Sequence, residues 1–365
     1  GDIASGLYYA RQAIAIGGSD SEAFNNLGNA EKDAGLVGDS LVSYQRAIEL
    51  DPDFALAHWN FSLALLSAGR FNEGFHEMDW RWRWSKFPGR RPSFDQPEWT
   101  GDDIKGRTLL LYPEQGLGDM LFMLRFVPAP ESTDGRVILE LPKALVPLAK
   151  DSHLAEEIRC PMENRPPFDI HAPLMDIPRL CNLNGPDLFR PTPYIRVPSH
   201  RHITWQNKLS HYNGLKIGLN WSGNPSNPVE KRRQLPLDQL MPLAEDNRII
   251  WFSLQKGETP PPPLPADFPI VNTGPASLED TAGMISALDL VVTSDTAVAH
   301  LAGALGKRVW VLLHHDPDWR WSGGKTTPWY PSARLFRQTS PGDWTAVIAA
   351  VRADLTRELH AMKDQ

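Results

Sequence analysis

Four polar stretches, each placed just after an apolar run, hold the residue types that could do chemistry in this chain. The first is Glu114-Gln115-Gly116-Leu117-Gly118-Asp119, where glycines leave backbone N–H groups open beside one carboxylate able to take a proton. Gln115, Gly116 and Gly118 would line a phosphate or acceptor loop, with Asp119 as the candidate reacting group. The plain alternative is that Asp119 caps the helix that follows, and position alone divides the two readings evenly. The second stretch is Asn220-Trp221-Ser222-Gly223-Asn224, followed by Lys231-Arg232-Arg233. Asn220, Ser222 and Asn224 offer hydrogen bonds, and Arg233 a fork for diphosphate oxygens; a solvated basic loop is the competing reading. In the third, Ser253 to Gly257, Gln255 and Lys256 can reach a nucleoside or phosphate, unless this is an ordinary turn closed by Gly257. In the fourth, Asp295, Thr296 and His300 open a small-residue helix whose free N–H groups favour an anion. There the alternatives are a cap at Asp295 and a core histidine at His300.

The elements that must position these groups alternate strand and helix. Thr108 to Tyr112 reads as a strand, Met120 to Phe126 as a helix, Arg136 to Leu141 as a strand and Lys143 to Lys150 as a helix. Residues 155 to 212 are proline-rich and give no strand count. The alternation restarts with strand Lys216 to Asn220, helix Leu237 to Ala244 and strand Arg248 to Leu254. A Pro260 to Pro263 loop follows, then helix Leu278 to Ala287, strand Leu288 to Thr293, helix Thr296 to Leu305 and strand Arg308 to Leu313. A restart implies two Rossmann-like lobes facing a cleft, about 107–212 (the shorter) and 213–342, with a last helix in 343–365 free to cross back to the first lobe. Thus the fold class is α-helical repeats followed by α/β.

The repeats come first. Asn26 and Asn60, Ala30 and Ala64, Ala34 and Ala68, and Gly35 and Gly69 recur at a 34-residue interval. That interval and those small residues resemble the tetratricopeptide repeat (TPR) family over residues 1–84, with the first unit partial. Residues 85–106, with Trp80, Trp82 and Trp84 just ahead and Trp99 inside, read as a connector. Its tryptophans serve as a hydrophobic plug between domains rather than as a sugar platform.

Composition excludes other classes. At 365 residues and a net charge of −7 the chain lacks the basic excess of a nucleic-acid binder. Two cysteines, Cys160 and Cys181, make no disulfide framework and no zinc spacing, as expected of a cytoplasmic protein. No apolar run is long enough to span a bilayer, and Gly1-Asp2-Ile3-Ala4 has no leader pattern; without an initial Met the chain reads as part of a longer protein.

From Trp99 to Leu355 the chain resembles the heptosyltransferase type of glycosyltransferase (family 9, GT-B fold), particularly bacterial proteins with TPR repeats fused ahead. Three stretches carry the resemblance: Glu114 to Asp119, Asn220 to Asn224 with Arg233, and Asp295 to His300 through Gly306. Asp318-Trp319-Arg320-Trp321 and Trp329-Tyr330-Pro331 extend the last of these. The resemblance implies transfer of a sugar from a nucleotide-diphosphate donor to a hydroxyl, with no cofactor and no obligatory metal. It implies Asp119 as general base, Arg233 at the leaving diphosphate, and Asp295, Thr296 and His300 around the donor. It also implies a polypeptide acceptor, flagellin-like proteins among them, held by the TPR groove, or a lipopolysaccharide-type acceptor. The acidic chain offers no evident membrane-surface patch, which favours the polypeptide. Two rivals remain: a non-catalytic TPR scaffold with a degenerate GT-B domain, and a nucleotide-sugar epimerase.

Overall fold

Residue spacing in the amino-terminal part produces paired helices. The computed structural model describes residues 3–17, 20–89, 91–128, 134–161, 165–227, 229–256 and 263–361; Gly1, Asp2, Pro228, Gly257 and Pro260 to Pro262 lie outside these. Five helices open the chain: α1 (Ile3–Ala15), α2 (Ser21–Asp33), α3 (Val37–Leu50), α4 (Ala55–Ser67) and α5 (Phe71–Glu77). Asp20 starts α2 by accepting from the Ala23 N–H at 2.7 Å. Gly35 and Gly69 adopt φ of +78° and +77° just past α2 and α4, a conformation that costs a side-chain-bearing residue energy. The chain therefore turns in the same way at two points one repeat apart, and α2 packs on α3 as α4 does on α5.

A 3-10 turn at Met78–Arg83 and an extended segment lead into the first α/β unit. This contains β1 (Thr108–Tyr112), α6 (Leu117–Met123), β2 (Arg136–Glu140), α7 (Val146–Asp151), β3 (Glu157–Arg159), β4 (Ile170–Pro173) and α8 (Ile177–Leu180). Its four strands are parallel in the order β3-β2-β1-β4, with Leu109 opposite both Val137 and Ile170. After α9 (Ser199–Leu209) come β5 (Leu215–Asn220), α10 (Glu230–Arg233), β6 (Ile249–Ser253), β7 (Ile270–Val271) and α11 (Leu278–Ala287). The chain ends with β8 (Leu290–Ser294), α12 (Ala297–Ala304), β9 (Val309–Leu313), β10 (Ala333–Arg337) and α13 (Trp344–Ala361). This second sheet is parallel too, in the order β10-β9-β8-β5-β6-β7. Every residue of β8 and β9 is buried, as befits parallel strands covered on both faces. Strand order reverses between β1 and β4 in one sheet and between β5 and β8 in the other. Crevices at the carboxyl ends beside such reversals are where open α/β sheets take ligands.

Several expectations change in detail. The unparsed span holds β3, β4, α8 and α9, and α9 packs against α11 of the second unit: Trp205 donates to Asp280 at 2.7 Å and His202 pairs with Ser286 at 2.9 Å. The last helix does not cross back. Trp344, Val347, Ile348 and Val351 of α13 join the core of the second sheet, because its apolar stripe faces β10 and Leu240 rather than the first unit. Leu237–Ala244 is a 3-10 helix, with Pro242 inside it, where α-helical spacing was expected. Trp80 stacks on His58 of α4 at 3.8 Å and Trp82 meets Phe87 edge-on at 5.5 Å, so both sit on the helical side. The plug is made instead by Phe71 and Phe75 of α5, which meet Trp319 and Trp329 edge-on or tilted at 5.1 to 6.4 Å. Cys160 and Cys181 are free. No helix among the described residues is long and apolar enough to cross a membrane.

Candidate active site

The first loop is held from behind by the helical region. Arg81, fully buried, donates to both oxygens of Glu114, at 2.8 and 2.7 Å, and to Asp176 at 2.6 Å. Arg179 adds a bond to the other oxygen of Asp176 at 2.9 Å. Two guanidinium groups thus serve two carboxylates, which is what burial of charge requires. Glu114 also accepts from Gln115 at 3.1 Å, so Gln115 is oriented towards this network.

Beyond Gln115, Gly116 is the N-cap of α6, placing Asp119 three positions into the helix. Asp119 is therefore not the N-cap. It turns back towards the Gly116 N–H, as an acidic residue at the third helical position does in a capping box. Its other neighbour lies in the second lobe: Arg320 Nη2 approaches Asp119 Oδ1 at 2.9 Å. The Asp119 side chain remains 30% exposed while that of Arg320 is only 5% exposed, so the carboxylate opens to the cleft and the guanidinium closes its floor. Burial raises the Asp119 carboxyl above its ordinary value; Arg320 opposes this and Asp318 adds to it.

Behind Arg320 the second-lobe residues form layers. Arg320 also binds Asp318 at 2.9 Å, and its Nε has no hydrogen-bond partner among the described residues. Asp295, buried, accepts from Trp321 Nε1 at 2.7 Å, and burial followed by Asp318 pushes its carboxyl up to about 6. The N-cap of α12 is Thr296, whose hydroxyl receives the Val298 N–H at 3.3 Å, so Asp295 is spared that duty. His300, one turn further, pairs with the Tyr330 hydroxyl at 3.0 Å and stacks on Trp321 at 5.0 Å. Burial, then the charges of Arg320, Arg125 and Arg233, hold its imidazole well below the ordinary range, and hence neutral. A Cβ on Gly118 would lie 3.0 Å from the His300 ring, so glycine there lets α6 settle onto α12.

The remaining sequence candidates divide into a strut and a rim. Asn220 Nδ2 donates to Gln255 at 3.0 Å, and Asn220 Oδ1 accepts from Thr296 at 2.8 Å and Thr293 at 3.2 Å. Gln255 also accepts the Trp221 and Ser222 N–H groups, at 3.2 and 3.1 Å. These bonds tie the ends of β5, β6 and β8 together at the strand reversal, so Asn220, Ser222, Gln255 and Thr296 fix the floor of the crevice. Arg233 lies on the rim, bonded to buried Glu230 at 2.6 Å and close enough to Asp295 to lower its pKa. Asn224 and Lys256 are exposed, and Asn224 folds back on the Ser226 N–H at 3.0 Å. Among the described residues no group of three or more His, Cys, Asp or Glu is arranged to hold a metal ion.

Sequence reasoning quoted Asp318-Trp319-Arg320-Trp321 without giving Arg320 a task, and it passed over Arg81 entirely. A charged residue inside a run of aromatic residues was the available signal in both places: such a side chain is buried by its neighbours and must find an acid.

Residues 267–346, from just before β7 to the start of α13, match the model of glycosyltransferase family 9 (heptosyltransferase). Protein FlbA of Caulobacter vibrioides is 24% identical over 387 residues, covering 97% of this chain and 64% of its own length. The chain thus spans just under two thirds of that relative. Among solved structures, the E. coli ADP-heptose lps heptosyltransferase II aligns over 69% of this chain and 99% of its own, at 16% identity and a TM-score of 0.45. A mutant of the Thermobaculum terrenum O-GlcNAc transferase aligns over 99% of this chain and 84% of its own, at 15% identity and a TM-score of 0.31. Asp295, Thr296, His300 and Arg320 fall inside the matched segment; Asp119 and Arg233 fall outside it. Through residues 267–346 the chain is thus similar to glycosyltransferases of the family 9, heptosyltransferase type.

Proposed function

We propose that the chain moves a sugar from a nucleotide-diphosphate donor to an acceptor hydroxyl in the cleft between its two sheets, with Asp119 as general base. One observation carries this: the half-open Asp119 carboxylate, raised in pKa by burial, faces the second-lobe crevice from the first lobe. A base must reach one substrate while the other is held opposite, and a raised carboxyl is the better proton acceptor. In this reading Arg233, with Asn224 and Lys256 on the same rim, meets the leaving diphosphate, so the reaction needs no metal. Gln115, Gly116 and Gly118 shape the acceptor side, while Asp295 and Thr296 face the donor. His300, neutral and bonded to Tyr330, packs the lobes together beside that site.

The family 9 match supports nucleotide-sugar transfer, and the finer assignments extend it. Residues 1–84 form TPR units, 85–106 the connector, 107–212 the acceptor lobe and 213–342 the donor lobe of a GT-B enzyme, and 343–365 the closing helix. The acceptor is a polypeptide laid along the TPR groove, and the protein works in the cytoplasm. Calorimetric titration of UDP-, GDP-, ADP- and CMP-linked sugars, in wild type and Arg233→Ala and with EDTA present, tests the donor site. Saturable binding weakened by the substitution and indifferent to EDTA is expected. Binding of none of them would leave the TPR scaffold as the better account.

A further inference from the structure

Asp119 belongs to the first lobe and the residue that grips it belongs to the second. Arg320 reaches Asp119 Oδ1 with Nη2 at 2.9 Å and Asp318 Oδ1 with Nη1 at 2.9 Å, so its planar fork spans an acid from each lobe. The guanidinium cannot wander. It lies over the Phe122 ring of α6 at 4.8 Å and the Trp319 ring at 4.4 Å, and Phe122 itself meets Trp319 and Trp329 edge-on at 5.4 and 5.0 Å. Phe122 and Asp119 are one turn apart on α6, so Arg320 touches that helix through a ring and a carboxylate on the same face.

We infer that Arg320 is a positioning residue for Asp119: it fixes the base's orientation and basicity from across the cleft, so that the base is in register only when the lobes are together. This rests on the reading of Asp119 as the base. The groups facing Asp119 are Arg320 and Asp318 from the turn before β10, the His300 ring of α12 beside Gly118, and the N–H groups of its own helix start. Asp295 is buried behind them, and Arg233 lies out on the rim. Of these, Arg320 alone combines a positive charge with direct contact to the carboxylate. Partial burial of that carboxylate and the charge of Arg320 therefore act in opposite directions, and Arg320 favours the ionised form that accepts a proton. Lysine would supply the charge without the fork, since it bonds as a point and not as a plane.

The test is carbon NMR of the full chain labelled with 13C at the aspartate carboxyl groups, with Asp119→Asn used to assign the signal. Titration is followed in wild type, Arg320→Gln and Arg320→Lys, each checked for folding by circular dichroism. Arg320→Gln is expected to raise the Asp119 midpoint by about 1 to 3 pH units, and Arg320→Lys by less. In parallel, nucleotide release is followed from whichever of the UDP-, GDP-, ADP- or CMP-linked sugars binds; both substitutions are expected to lower kcat with little change in donor KM. If Arg320→Gln does not fold, Arg320→Lys decides alone. An unmoved midpoint, or unchanged kcat, in a folded variant overturns the assignment. A moved midpoint with no nucleotide release even from wild type would instead overturn the transferase reading and leave the Asp119 to Arg320 contact standing.

Discussion

Two arginine and carboxylate clusters flank the loop from Glu114 to Asp119, and they are built on opposite principles. Arg81 lies behind the loop, its partners Glu114 and Asp176 are buried, and Arg179 supplies a second cation. Arg320 lies in front, holds Asp119 and Asp318 while both remain partly open to water, has Asp295 nearby, and leaves its own Nε unpartnered. The first cluster balances two acids with two cations, though Arg179 Nε is likewise unpartnered among the described residues, and fixes a backbone. The second leaves acid in excess and keeps one carboxylate within reach of a substrate. A support and a reacting centre can thus use the same residue types and be told apart by charge balance and exposure.

The substitution that strikes this contrast hardest is Asp119→Asn. It keeps the shape and removes the base, so sugar transfer should fall by about 10²- to 10⁴-fold while calorimetric donor binding persists. Equal loss of both would take Asp119 out of the base role and make the front cluster a second support. Next is Arg81→Met, which leaves Glu114 and Asp176 buried without their shared cation. Urea unfolding should show a loss of about 3–5 kcal/mol. Arg320→Gln should cost less in the same experiment, because both of its acids remain partly open to water. Similar losses at the two sites would erase the distinction.

A third test uses pH. The native Asp295 carboxyl is raised to about 6, so the folded protein binds that proton more tightly than the unfolded chain, whose ordinary carboxyl lies near 3.9. This contribution to stability is present at low pH and is lost as pH rises through about 6. Asp295→Asn retains an acceptor for Trp321 Nε1 and removes the titration. Relative to wild type it should be more stable by up to about 3 kcal/mol above pH 7, with the gap closing near pH 4. A constant gap across that range would mean that Asp295 is not the raised group, and would return the second-lobe acid to an ordinary structural role.

How much of this was legible in sequence differs between the clusters for a physical reason. The strands and the Gly-Asp loop were visible because apolar runs and glycines act locally: Thr108–Tyr112 and the loop after it stand where periodicity puts them. Repeat spacing likewise paired Gly35 with Gly69, and the structure sets both in turns of the same conformation. Arg81 to Glu114 and Arg320 to Asp119 are contacts over 33 and 201 residues of chain, and no local pattern records which distant acid an arginine will meet. The same holds for α9 and α13, whose apolar faces were plain but whose partners were not. Exposure too was hidden: Asn220 and Gln255 looked like ligand contacts because they end strands, and tertiary packing turned them towards each other.

The smallest expected effect comes from Gly118→Ala, and it probes the seam through which the two clusters communicate. The new Cβ would lie 3.0 Å from His300 Cδ2 and 3.6 Å from Ala297 Cα, a few tenths of an ångström too close to the ring. Alanine is the better helix former by roughly 1 kcal/mol, so if the ring could move the change would be neutral or stabilising. It is poorly free to move: Tyr330 holds its Nδ1 and Trp321 lies stacked against it. Overpacking a fixed neighbour costs about 1–3 kcal/mol, which slightly outweighs the helix gain and leaves a net loss of about 1 kcal/mol. The strain should be relieved by α6 lifting from α12, carrying Asp119 away from Arg320. Turnover should then fall more than stability does, and Tm with the nucleotide-release rate in one preparation reads both. A loss of stability with turnover intact would show that the base keeps its register without close packing of α6 on α12, and would move the source of that register back to Arg81 and Glu114.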